Sequence, residues 1–266
     1  SVMTRLQTQH AVIGYGGAPI VRGVDVEVPD GRITAIVGPN GCGKSTLLRA
    51  LVRLLSPSEG TVLLDGEDIH HIPTREVARR VGLLPQSPIA PAGITVKELV
   101  ARGRTPHQKV LRPWSAEDET AVLSALHSTA LTDIQDAVVD ELSGGQRQRA
   151  WIAMTLAQDT PLMILDEPTT YLDIAHQYDV MDLLHRLNTR QDRTIVMVVH
   201  DLHQAARYAH HVIAMSDGVV AASGAPSDVF TEDLIRDVFS LEARVLTDPV
   251  TGTPMVVPAH GPGGVR

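Results

Sequence analysis

Residues 38–45 read Gly38-Pro39-Asn40-Gly41-Cys42-Gly43-Lys44-Ser45 and fit G-x-x-x-x-G-K-[ST]. These residue types at these spacings suit the holding of a polyphosphate. Glycines let backbone N–H groups wrap phosphate oxygens, and a helix opening at Lys44 adds positive potential. Lys44 would reach the β- and γ-phosphates, Ser45 would offer its hydroxyl to Mg²⁺, and Thr46 continues the cradle. Lys44 is one of only three lysines, with Lys97 and Lys109. A second set, Leu162-Met163-Ile164-Leu165-Asp166-Glu167, is an apolar run ending in two carboxylates. Asp166 suits Mg²⁺ held through water, and Glu167 suits a general base that orients and polarises an attacking water. A third, Leu142-Ser143-Gly144-Gly145-Gln146, places an N-cap residue type before two glycines that bare helix-start N–H groups. Plain helix capping is the simpler reading of Ser143. As an anion site it is a second phosphate-seeking helix start in a chain with one P-loop, which makes sense if it closes over nucleotide held by another copy.

The elements that must position these residues are legible from periodicity. Strands are expected at Leu6 to Ile13, at Val21 to Val28 with alternating valines, and at the apolar run Ile33 to Val37. The last of these feeds the glycine loop, and a helix is expected from Lys44 to Leu55. Thr61 to Leu64 followed by Asp65-Gly66 signals a hairpin, and Val81 to Leu84 is a strand ending at Pro85-Gln86. From Ser87 to Glu141 the pattern turns helical. Thr95 with Glu98 and Ser115 with Asp118 are capping-box starts, and Pro88, Pro91, Pro106 and Pro113 fall in loops between helices. A helix from Ser143 to about Ala157 precedes strand, helix and strand at Leu162 to Leu165, Ile174 to Asn188 and Thr194 to Val199, the alternation of parallel βαβ units. Val212 to Met215 and Val219 to Ala222 flank Asp217-Gly218 as a second hairpin. The tail is expected to be helical from Ser227 and irregular from Asp248.

Composition narrows the partners. A net charge of −8 and 3% aromatic residues argue against a nucleic-acid partner. The single cysteine, Cys42, excludes an intrachain disulfide and points to a reducing compartment. No run approaches the roughly 20 apolar residues that span a bilayer, and the N-terminus, which begins at Ser1, has no signal-peptide pattern. A role at a membrane would therefore need docking to a separate subunit. The histidine pairs His70-His71 and His210-His211 lack a second ligand at good spacing, so no metal site is expected there. The only asparagines, Asn40 and Asn188, leave no Asn-Lys-x-Asp guanine motif.

Taken together, the motifs from Tyr15 to Asp201 resemble the ATP-binding-cassette family. The resemblance implies an α/β P-loop fold: a RecA-like parallel-sheet core with an antiparallel β subdomain and an α-helical insertion. The whole chain, 1–266, is then one domain, with 1–86 and 142–266 as nucleotide-binding core and 87–141 as the helical part. It implies ATP and Mg²⁺, with Ser45, Gln86 and Asp166 near the metal, and Glu167, His200, Lys44 and Gln86 serving hydrolysis. Tyr15 would stack on adenine, Gln86 would report nucleotide state to the insertion, His200 would contact the γ-phosphate, and Leu172-Asp173 would relay between two sites. Ser143, Gly144, Gly145 and Gln146 would face the nucleotide of a second copy in a sandwich dimer. Implied partners are that second copy, polytopic permease subunits and, indirectly, a substrate-binding protein, at the cytoplasmic face of a membrane. The runs Leu142 to Met154 and Asp166 to Gln177, and the tail Asp248 to Pro258, are similar to ferric-siderophore importer ATPases. Importers of cobalamin or haem, and an iron–sulfur-assembly ATPase, are the alternatives.

Overall fold

The computed structural model describes residues 4–261, so Ser1 and the last residues of the glycine- and proline-rich tail lie outside the described residues. Along the chain run β1 (Thr4–Ile13), β2 (Val21–Pro29), β3 (Ile33–Val37), α1 (Lys44–Leu51), β4 (Glu59–Leu64), β5 (Glu67–Asp68), α2 (Thr74–Arg80) and β6 (Val81–Leu84). There follow α3 (Val96–Ala101), α4 (Ala116–Ser128), α5 (Gly144–Ala157), β7 (Leu162–Asp166), α6 (Ile174–Gln191) and β8 (Thr194–Val198). The chain ends with α7 (Leu202–Tyr208), β9 (His211–Ser216), β10 (Val219–Gly224), α8 (Pro226–Val229), α9 (Glu232–Phe239), β11 (Ala243–Thr247) and β12 (Pro254–Pro258).

Contacts divide the chain into two units. The first comprises Ser1–His71 and Val196–Arg266. It holds an antiparallel sheet in the order β2-β1-β4-β5. In β2 the alternation is realised as Val24, Val26 and Val28 buried with Asp25 and Glu27 exposed. At Gly60 a side chain has no room, since a Cβ would lie 2.1 Å from the His10 carbonyl oxygen on β1. The P-loop strand β3 is buried along its whole length and pairs in parallel with β9, which pairs antiparallel with β10 through the Asp217-Gly218 turn.

The second unit is Ile72–Ile195. Here β6 and β7 pair in parallel, Val81 to Leu84 against Leu162 to Leu165, so both run toward their functional ends together. Both expected capping boxes are present, at Thr95 with Glu98 and at Ser115 with Asp118. A buried ion pair, Arg104 to Asp118 at 2.9 Å, ties the turn after α3 to α4, and Arg104 also donates to the Ala157 carbonyl at the end of α5. No helix among the described residues is long and apolar enough to cross a membrane.

Four local expectations change. Helix α1 stops at Leu51, not Leu55, because Arg53 turns left-handed at φ 68° and Leu54 N–H closes back on the Arg49 carbonyl, a Schellman-type end. Helix α2 is a helix that the residue pattern did not announce. Pro106 lies inside a 3₁₀ turn, Arg102–His107, where its carbonyl accepts from Arg75 and Arg79. The tail is helical only to Phe239, and the stretch from Ala243 forms the hairpin β11–β12, with Thr247 opposite Pro254. Periodicity could not announce that ribbon, because its strands show no clean burial alternation, Leu246 of β11 being 51% exposed.

Candidate functional site

In the first unit, β3 delivers the chain into the glycine loop. A Cβ at Gly38 would meet the Met215 carbonyl oxygen at 2.4 Å and Cys42 Sγ at 2.6 Å, so no larger residue fits. Gly41 and Gly43 take φ of 77° and 104°, conformations that ordinary side chains rarely adopt. Helix α1 opens at Lys44 with no carboxylate in its first turn, which leaves its positive end for an anion. Lys44 is buried, its ammonium donating to the carbonyl oxygens of Gly38 at 2.7 Å and Pro39 at 3.0 Å. Ser45 is half-buried, Thr46 is buried, and the Cys42 thiol is buried inside the loop. Tyr15 is 54% exposed, its hydroxyl accepting from Arg49 of α1 at 2.8 Å. His200 is exposed immediately after Val199, whose N–H donates to Ile36 of β3.

The second unit assembles the other expected residues. Asp166, at the end of β7, is buried, whereas Glu167 turns left-handed at φ 52°. Gln86 Nε2 donates to Glu167 Oε2 at 2.6 Å, and Thr170 Oγ1 donates to the same oxygen at 3.2 Å. Gln86, Gly144, Arg147, Trp151, Glu167 and Leu172 line one cleft of about 300 Å³. Four residues from separate motifs, Gln86, Gly144, Glu167 and Leu172, therefore line one space. Asp173 is exposed at the N-cap position of α6, without a side-chain cap bond.

The Leu142-Ser143-Gly144-Gly145-Gln146 stretch is more differentiated than its composition indicates. Ser143 forms a full capping box with Gln146, its hydroxyl accepting from Gln146 N–H at 3.2 Å. Gly144 is exposed on the cleft. Gly145 is buried, and a Cβ there would lie 2.9 Å from the His176 ring of α6. One glycine keeps a helix start bare and the other lets α5 approach α6. Thr170, Arg49 and His176 escaped the sequence reading. Only Thr170 left a trace there, as the second threonine after Asp166-Glu167-Pro168.

Ile94 is buried. The stretch it belongs to pairs back on the insertion, with Val139 N–H to the Ile94 carbonyl and Val96 N–H to Ala137. Ile89 is 91% exposed.

Residues 21–170, more than half of the chain, match the model of the ABC transporter family. The chain belongs to the ABC transporter family. It has that family's α/β P-loop fold and is an ATP-binding, ATP-hydrolysing subunit. The ferric enterobactin transport ATP-binding protein FepC of Escherichia coli (strain K12) is 54% identical over 256 residues, covering 96% of this chain and 94% of that protein. A metal-chelate type ABC transporter in an inward-facing conformation superposes with a TM-score of 0.84 at 26% identity, over 97% of this chain and 98% of that one. The dimeric structure of a post-hydrolysis state of an ATP-binding cassette, bound to ADP and Pi, gives 0.70 at 28% identity, over 83% of this chain and 98% of that one.

Proposed function

We propose that this ABC subunit energises the uptake of a ferric siderophore through a separate membrane permease, working as a dimer of ATP-binding subunits. The single observation that carries the reading is the 54% identity to FepC over 96% of the chain, with the P-loop, the carboxylate pair and the helix start at Ser143 all in place. Lys44 and the loop amides bind the triphosphate, and Tyr15 offers a ring face to the base. The group that goes with the nucleotide is Mg²⁺. The oxygen donors Ser45, Gln86 and Asp166 suit that hard cation, which would neutralise phosphate charge. Glu167 takes the proton of the attacking water. The bond from Gln86 to Glu167 Oε2 supports Gln86 as the residue through which the base and the helical segment after Pro85 are linked. Ser143 and Gly144 present a capped, bare helix start that fits the phosphates of a second copy. A substrate-binding protein hands the chelate to the permease, and the subunit lies at the cytoplasmic face of the membrane.

The test is uptake of ⁵⁵Fe-loaded siderophores by cells lacking this chain, complemented with wild type or Lys44→Ala. Iron–siderophore uptake restored by wild type and not by Lys44→Ala is the expected outcome. Unimpaired uptake of every ferric chelate in the deleted strain, with loss of cobalamin uptake instead, would move the cargo to the corrinoid class.

A further inference from the structure

The run Asp248-Pro249-Val250-Thr251-Gly252-Thr253-Pro254 links β11 to β12 and lies beyond the stretch that the family model matches. Much of its geometry closes on itself. Asp248 N–H donates to the Thr253 carbonyl at 2.8 Å and Gly252 N–H to the Asp248 carbonyl at 2.8 Å, while Gly252 supplies a φ of 73°. The Asp248 carboxylate does more than close the loop. Its Oδ1 accepts the N–H groups of Val250 at 2.8 Å and Thr251 at 3.4 Å. Its Oδ2 accepts from Arg207 Nε at 2.6 Å and lies 2.7 Å from His203 Nε2, and Arg207 Nη2 reaches Oδ1 at 3.2 Å. Asp248 is 1% exposed. A carboxylate withdrawn from water this far persists only with partners of this kind. The Arg207 guanidinium holds it well below the usual carboxylate range against the opposing effect of burial, with His203 and the two amides adding to the same end. It is therefore ionised throughout the neutral range.

His203 and Arg207 stand four residues apart on α7, on one helical face. Helix α7 has seven residues, too few to hold its shape without tertiary support. Its supports include Asp201 at the N-cap, accepting from His203 N–H at 2.8 Å and Gln204 N–H at 3.1 Å, the buried run Gln204, Ala205 and Ala206, and the Asp248 clamp. His200 is the residue immediately before that cap. On its other side Val199 is pinned to β3, so His200 stands between that strand contact and the start of α7.

We propose that Asp248 is a positioning residue for His200. Through His203 and Arg207 it fixes α7, and with it the loop that presents His200, while touching no nucleotide itself. This rests on the reading of His200 as a γ-phosphate contact. The experiment uses the full chain and measures kcat and KM for ATP in Asp248→Ala, Asp248→Asn and His203→Ala, each alone and combined with His200→Ala, together with amide exchange at His203 and Gln204. A misplacement of order 1 Å at a reacting centre costs about 10²-fold, so Asp248→Ala should lower kcat by about 10- to 100-fold with a much smaller change in KM. Asp248→Asn, which keeps an acceptor, should recover part of the loss. The two amides should exchange faster in Asp248→Ala. In the His200→Ala background none of the three should lower turnover further, because a residue acting through another is silent once that other is gone. Folded Asp248→Ala and His203→Ala chains with wild-type kcat, or losses that multiply with that of His200→Ala, overturn the proposal. If Asp248→Ala does not fold, His203→Ala decides, since it leaves the carboxylate paired with Arg207. If His200→Ala alone hydrolyses ATP at the wild-type rate, the reading of His200 fails and the proposal falls with it. That failure is recognised by the unimpaired single variant.

Discussion

At the scale of single residues, the Glu167 carboxylate carries the sharpest consequence. Its backbone sits in the left-handed region at φ 52°, a conformation a non-glycine residue keeps only when its surroundings hold it there. Two donors, from Gln86 and Thr170, meet on one oxygen, Oε2, and fix the direction of the group. Glu167→Gln preserves the shape and removes the proton acceptor. A positioned base contributes about 10²–10⁴ in rate, so ATP turnover should fall by that order while binding of labelled ATP survives. Turnover at the wild-type rate in the Gln variant would remove Glu167 from the role. Glu167 was legible because a carboxylate pair ending an apolar strand downstream of a P-loop is a sequence pattern. The shared acceptor was not, since Gln86 lies 81 residues away and only the parallel pairing of β6 with β7 brings the two strand ends side by side.

At the scale of elements, the contact between α5 and α6 decides what the two glycines after Ser143 do. Gly145 faces the His176 ring, and an added methyl group would sit 2.9 Å from it, so the ring or the helix must move. Gly145→Ala should destabilise the chain by about 1–3 kcal/mol, the usual cost of overpacking. Gly145→Ala with His176→Ala should regain most of that, because the obstructing ring is gone. Urea unfolding of the two single variants and the double variant measures the coupling, and additive losses would place the role of Gly145 elsewhere. The capping boxes at Thr95, Ser115 and Ser143 were readable from spacing alone, since each is a local pair of residues three apart. The end of α1 and the β11–β12 ribbon were not. The first depends on a left-handed Arg53, and the second on a buried aspartate whose partners sit on α7.

At the scale of the whole molecule, the segment after Gln86 separates two isoleucines that the sequence leaves equivalent. Ile94 is 7% exposed and packs inside the insertion, whereas Ile89 is fully presented, as are Val110 and Leu111 further along the same unit. On the proposed function, Ile89 is the residue we expect to meet the permease. Ile89→Glu should therefore leave the isolated chain folded and weaken co-purification of the permease. Ile94→Glu should instead cost more than about 3 kcal/mol of stability by placing a charge without a partner in an apolar interior. Thermal unfolding and pull-down of both variants check this. Retention of the permease by a folded Ile89→Glu chain would place docking on another surface.

The sequence by itself determined the chemistry that is local in the chain: the phosphate loop at Gly38 to Ser45, the carboxylates at the end of β7, the capped helix start at Ser143, and the alternation that makes the core strands. Each is written in residues within about eight positions of one another, and the backbone rules that read them are short-ranged. Tertiary structure alone decided which distant side chains share an oxygen, which glycine is spare and which is packed, which isoleucine is free, and that the terminal run from Asp248 clamps α7. Those outcomes depend on burial and on hydrogen bonds between elements far apart in sequence, where a carboxylate such as Asp248 looks like any surface aspartate until its arginine and histidine are brought to it.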